Sequence, residues 1–160
     1  MSTTLKTWSS TILGSTLSPN LWLQVAWAVV RVAAGLLMIH NGLDKLADVE
    51  GFADNVVTFI GLPFPIFSTY CAAYIEIVGA ILLSLGLLTR PAAIALLATM
   101  IVAIYFHLKD TGLAIPPLET ASLYALCFLF FSINGSGMFA VDTLIASRFE
   151  AMLEEPAKAV

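Results

Sequence analysis

The sequence has 160 residues, of which 59 % are hydrophobic and 11 % charged, and its mean hydropathy of +0.94 excludes an ordinary soluble domain with a polar surface. The net charge of -4 and the scatter of the 7 Lys and Arg residues exclude nucleic acid as a partner, since that needs a concentrated basic patch. The expected class is an all-α, polytopic membrane four-helix bundle with short amphipathic interfacial helices and the lipid bilayer as its first partner. Its spans are predicted at about 21–40, 66–88, 91–108 and 118–134, each close to the length that crosses about 30 Å of hydrocarbon.

Residues 1–20 form an N-terminal segment, rich in Ser and Thr, that carries Leu5, Trp8, Ile12 and Leu13 at helical spacing. That pattern suits an interfacial helix or a disordered tail, and with Lys6 as its one charge it does not have the form of a cleavable signal. Ser18, Pro19 and Asn20 supply a turn and a cap for the first span. The membrane domain is read as residues 21–140. Within its first span Arg31 interrupts an apolar run, beside Ala33, Ala34 and Gly35, which would let a neighbouring helix approach closely. The run leaves the membrane through a polar cluster, His40, Asn41, Asp44 and Lys45, in which the helical wheel turns His40 and Asp44 away from Lys45.

An interfacial helix is predicted at about 48–61, with Val49, Phe52, Val56, Phe59 and Ile60 on one face. The second span holds one acid, Glu76, and ends at Gly86, with Arg90 able to reach headgroups and Pro91 suited to the first turn of the third. The third is apolar until His107. The fourth opens near Glu119 and leaves through Gly135-Ser136-Gly137, read as a flexible exit, before an amphipathic tail at 141–160. Cys71 and Cys127 lie inside spans with no CxxC spacing and are expected to be buried thiols.

Counting from the predicted span ends puts Arg31 and Glu76 both roughly 15 to 18 Å deep, as the only formal charges at that depth, and predicts an ion pair between them. That pair could fasten two helices or line a polar pocket. At the opposite face His40, Asn41, His107 and Glu119 share one level. Two histidines and a carboxylate there could hold a metal or relay protons to a bound quinone, but no HxxxH or HExxH spacing supports a metal site and none is expected. No covalent haem motif, iron-sulfur cysteine array or GxGxxG loop is present. Lys6, Arg90, Arg148 and Lys158 against Lys45 and Lys109 predict both termini in the cytoplasm.

The spaced set of Arg31 and Gly35, Asn41-Gly42-x-x-Lys45-Leu46, Glu76 with Gly79, Gly86-Leu87-Leu88-Thr89-Arg90-Pro91-Ala92, His107, and Gly135-Ser136-Gly137 followed by Asp142 resembles the DoxX family of small bacterial membrane proteins, over roughly residues 25–145. Many relatives have His where Asn41 stands and Pro where Ser136 stands. The resemblance implies a multi-pass protein of the bacterial plasma (inner) membrane. It further implies an oxidoreductase or redox-complex subunit that could bind a quinone between helices, alongside a membrane redox partner or as a homo-oligomer. In that reading Arg31, Glu76, Lys45 and Asn41 bind the ligand, while His107, Glu119 and His40 exchange protons. The alternative is a non-catalytic assembly subunit. Small-solute transport is disfavoured by the absence of an inverted repeat.

Overall fold

The computed structural model describes residues 14–154, with side chains to Arg148. Helix α1 is Leu21–Ala47, α2 is Val49–Phe52 running directly into a π-helical stretch at Ala53–Thr58, α3 is Pro65–Leu85, α4 is Thr89–Asp110, α5 is Ile115–Asn134 and α6 is Val141–Glu154. The described residues are almost wholly helical and contain no strand. Four of the helices, α1, α3, α4 and α5, are long and apolar enough to cross a membrane. Their outward residues, among them Val29, Leu36, Val78, Ile94, Phe130 and Ile133, are large, apolar and exposed, as a bilayer requires and water would not tolerate. The chain is a multi-pass membrane protein. The expected N-terminal stripe of Leu5, Trp8, Ile12 and Leu13 lies outside the described residues.

Local chemistry sets the helix ends. The Asn20 side chain accepts hydrogen bonds from the amides of Trp22 (3.0 Å) and Leu23 (3.3 Å) and starts α1. That helix runs 27 residues, a full two turns beyond the expected end at 40, because His40 to Lys45 continue it rather than closing it. At roughly 40 Å it is longer than the hydrocarbon is thick. Helix α3 stops in a Schellman turn, with Gly86 left-handed (φ 68°) and Leu87 donating to the Leu82 carbonyl at 2.9 Å. Prolines 116 and 117 start α5, where their missing N–H groups cost nothing.

Each long helix packs on the next: α1 against α3, α3 against α4, α4 against α5. The α1–α3 seam is built on two glycines seven residues apart. A Cβ on Gly35 would lie 2.8 Å from the Ala80 carbonyl oxygen and one on Gly42 2.9 Å from that of Ala73, so only glycine lets the backbones come this close. Helix α5 returns to α1 mainly near the end where α1 begins and α5 stops, where Trp27 meets Phe131 edge-on with ring centroids 4.7 Å apart. The core of Met38, Leu83, Leu96, Phe128 and Phe131 fills that half of the bundle.

Candidate functional site

In the other half the helices enclose a cavity of about 790 Å³, lined from α1, α2, α3, α4 and α5. Its walls are mostly apolar, with the rings of Phe52, Phe106 and Tyr124 among them. Phe67 lines it while two-thirds exposed (67 %), so the cavity opens beside this ring to the molecule's surroundings.

The polar end of the cavity is one ion pair. Lys45 of α1 donates to Glu76 Oε2 of α3 at 2.6 Å, with the glutamate side chain only 2 % exposed and the lysine 16 %. The same ammonium donates to the Asn41 carbonyl (3.2 Å) and stands 5.2 Å from the centroid of the Phe52 ring. Asn41 lines the cavity beside it, and its side-chain amide meets the Met38 sulfur at 3.8 Å, a weak contact. Thr99 borders the carboxylate from α4, with its hydroxyl 2.8 Å from the Leu96 carbonyl oxygen. Cys71, His107 and Tyr124 complete the set of titratable side chains lining the cavity.

The second wall feature is α2 with its π-helical continuation, a strap laid along the cavity through Phe52, Val56 and Ile60. Its deepest residues are the small Ala53 and Val57 rather than the large members of the expected stripe, because small side chains admit close contact with α3. Asp48 caps its start by accepting from Gly51 N at 2.9 Å. At its far end Lys109 of α4 donates to the Phe59 carbonyl (2.5 Å) and lies 4.9 Å from the Phe59 ring, which packs edge-on against Phe106.

The predicted Arg31–Glu76 pair is not formed. Helices α1 and α3 are in a register that sets Gly42 against Ala73 and Ile77 and Gly35 against Ala80 and Ser84, which brings Arg31 to Gly86: a Cβ there would lie 2.5 Å from Arg31 Nη1. Glu76 is level with Asn41 instead, ten residues or roughly 15 Å further along α1. Equal depth holds only if α1 and α3 have level ends, whereas α1 starts ten residues before Arg31, the residue that meets the end of α3 at Gly86.

Arg31 serves a different structure. Its guanidinium donates to the carbonyls of Ser136 (2.5 Å) and Phe139 (2.6 Å), holding the chain that leaves α5. Trp27 Nε1 donates to the Gly135 carbonyl (3.1 Å), Gln24 Oε1 accepts from Met138 N (2.7 Å), and Arg90 donates to Gly14 (3.3 Å) instead of extending to headgroups. The glycine exit is therefore a fixed, buried turn rather than a flexible one. Asp142, 1 % exposed, completes it by accepting from the amides of Leu88 (2.7 Å) and Thr89 (3.0 Å) and so capping α4.

Of the residues singled out from sequence, Glu76, Lys45, Asn41 and His107 share the cavity and Arg31 does not. His40 is on the outer face of α1, its side chain 78 % exposed, 3.3 Å from Asp44. Glu119 is exposed and is not part of the cavity wall. The supposed grouping of His40, His107 and Glu119 does not exist, because the helical turn that exposes His40 points it away from α4 and α5. Among the described residues no three His, Cys, Asp or Glu side chains gather closely enough to hold a metal ion. Cys71 and Cys127 are free and only partly buried, with Cys71 in the cavity wall. Sequence reasoning passed over Tyr124, although it is the one polar member of the stripe Ala121, Tyr124, Phe128 and Phe131, and it gave Asp142 a place in the family set and at the start of the tail but no structural role.

Comparison with known proteins agrees with this architecture. The DoxX family profile matches residues 26–109. An uncharacterized protein of Haemophilus influenzae is 46 % identical over 120 residues, covering 72 % of this chain and 87 % of that protein. The inner membrane protein YphA of Escherichia coli is 30 % identical over 123 residues, 71 % of this chain and 86 % of its own length. A Bacillus subtilis protein named "Putative oxidoreductase CatD" is 28 % identical over 122 residues, 76 % of this chain and 88 % of its own length. No solved structure matches.

Proposed function

From the premise that this chain belongs to the DoxX family, we propose that it is a membrane oxidoreductase, or the membrane subunit of a redox complex, that takes a quinone-type molecule into the cavity between its helices. The observation that carries this reading is the cavity itself. A space of about 790 Å³, largely apolar and ringed by aromatic side chains, with a buried ion pair at one end, is suited to a lipophilic ring bearing a polar head. Its opening beside Phe67 gives a membrane-dissolved molecule access without crossing water. The name of the Bacillus subtilis relative supports the oxidoreductase part of this reading.

In this reading Glu76, held in place by Lys45, and Asn41 orient the head, and His107 is the cavity side chain suited to passing a proton to or from the ring. Electrons pass to or from a partner, since the chain carries no covalent haem or iron-sulfur motif. The protein resides in the inner membrane with both termini cytoplasmic, a placement supported by the name of the Escherichia coli relative and by the lysine and arginine bias.

The test is purification of the full chain in lipid nanodiscs, followed by extraction and mass spectrometry, with the cavity-filling variant Ala103→Phe as control. Retained or added-back quinone, lost in A103F, is the expected result. A chain that binds no quinone and instead purifies in fixed ratio with another membrane protein would make it the non-catalytic assembly subunit.

A further inference from the structure

Resting on the reading of the cavity as a site for a quinone-type ring, we infer that it selects the hydroxylated, reduced form of that ring, a phenol or hydroquinone, over the carbonyl form. The argument is a count of hydrogen-bonding capacity. An ammonium has three donor directions and no acceptor. Two of those of Lys45 are taken by Glu76 Oε2 and the Asn41 carbonyl, and the Phe52 ring, its centroid 5.2 Å from the ammonium, covers a further side, so the lysine offers a ligand no unobstructed donor. A quinone carbonyl, which can only accept, finds no cationic donor here.

Glu76 is in the opposite condition. Lys45 engages one oxygen; the Thr99 hydroxyl lies within reach of both the carboxylate and the Leu96 carbonyl and has one proton for the two, and among the described residues no other donor stands at the second oxygen, Oε1. An ionised carboxylate is acceptor-only. In a pocket with mostly apolar walls its free oxygen calls for a donor, and leaving a buried acceptor unmatched is costly. The donor is neutral, since a cationic head would meet the Lys45 charge. The Asn41 side-chain amide, held only by the Met38 sulfur, is free to donate to the lone pair of the same ligand oxygen. A phenolic hydroxyl does both: its proton goes to Glu76 and its oxygen accepts from Asn41. The aromatic walls of Phe52, Phe106 and Tyr124 suit the ring that carries it.

The test uses three small probes on the full chain in nanodiscs, measured by calorimetric titration: 1-naphthol, its methyl ether 1-methoxynaphthalene, and 1,4-naphthoquinone. The expected result is that 1-naphthol binds at least about tenfold more tightly than either of the others, the effect of leaving a buried acceptor unpaired. In Glu76→Gln, whose amide can donate, the preference for naphthol over the quinone should shrink to about twofold or reverse. If E76Q does not fold, Asn41→Leu, which removes a donor that the oxygens of all three probes can use, should weaken all three and leave the naphthol preference within about twofold of wild type, whereas loss of the preference would overturn the role given to Glu76. Equal binding of naphthol and its ether, or tighter binding of the quinone, overturns the selection while the cavity remains an aromatic site. No binding of any probe by folded wild-type protein overturns both this inference and the function on which it rests.

Discussion

Replacing Asp142 by alanine removes the acceptor for two amides at the start of α4. Thr89 is fully buried, so water cannot replace the carboxylate at its amide, and that loss should count in full at about 1.5 to 3 kcal/mol. Leu88 is 43 % exposed, so headgroups or water can satisfy its amide and its share is smaller, about 0.5 to 1 kcal/mol. Arg31 also loses the countercharge of Asp142, although its two carbonyl contacts remain. The sum is a destabilisation of about 3 kcal/mol, and Asp142→Asn, which keeps one acceptor oxygen, should lose about half of that. The assay is reversible unfolding in mixed micelles followed by tryptophan fluorescence, for which Trp27, bonded to Gly135 in the same turn, is a local reporter. A D142A protein within about 0.5 kcal/mol of wild type, the range of an ordinary surface substitution, would refute the view that this turn locks the helix ends together.

Three further outcomes follow from the same geometry. Arg31→Met and Glu76→Gln should be additive in stability within about 0.5 kcal/mol, because the two sites share no partner; a large coupling energy in a double-mutant cycle would restore the ion pair that the register forbids. Lys45→Met or Glu76→Leu alone should each cost about 3 to 5 kcal/mol by stranding a buried charge, while the double variant should recover most of that stability yet lose ligand binding, as read by the same unfolding assay and by titration. Gly42→Leu should destabilise by more than about 3 kcal/mol or prevent folding, since its side chain would meet the Ala73 carbonyl and Ile77, whereas His40→Ala on the exposed face should change neither stability nor binding.

The spans and the family were legible because they rest on cumulative signals: long apolar runs, the Asn20 cap, the Gly86 helix end and a set of spaced polar residues. The pairing of charges was not, because depth counted along one helix says nothing about its register against another. That register is set by contact between Gly35 and Gly42 of α1 and the backbone of α3, and glycines announce close approach without naming the partner. The same information moves Arg31 to the exit turn and gives Glu76 to Lys45. His40 and His107 were grouped by level alone, and level fixes no direction around the helix; the wheel that turned His40 away from Lys45 was the better guide. The strap of α2 was visible as an amphipathic stripe, but its attachment through Lys109 to the Phe59 carbonyl joins residues 50 apart, which no local pattern reveals.

The central claim, that the cavity beside Lys45 and Glu76 receives a membrane-dissolved aromatic ring, is most directly tested by photolabelling with an azido-quinone in nanodiscs and mapping the modified residues. The account predicts labels on α3 between Phe67 and Glu76 and on α4 between Thr99 and His107, displaced by excess unlabelled ring compound and absent from A103F. Labels confined to lipid-facing positions such as Leu36, Ile94 and Ile133, undiminished by competitor, would contradict it.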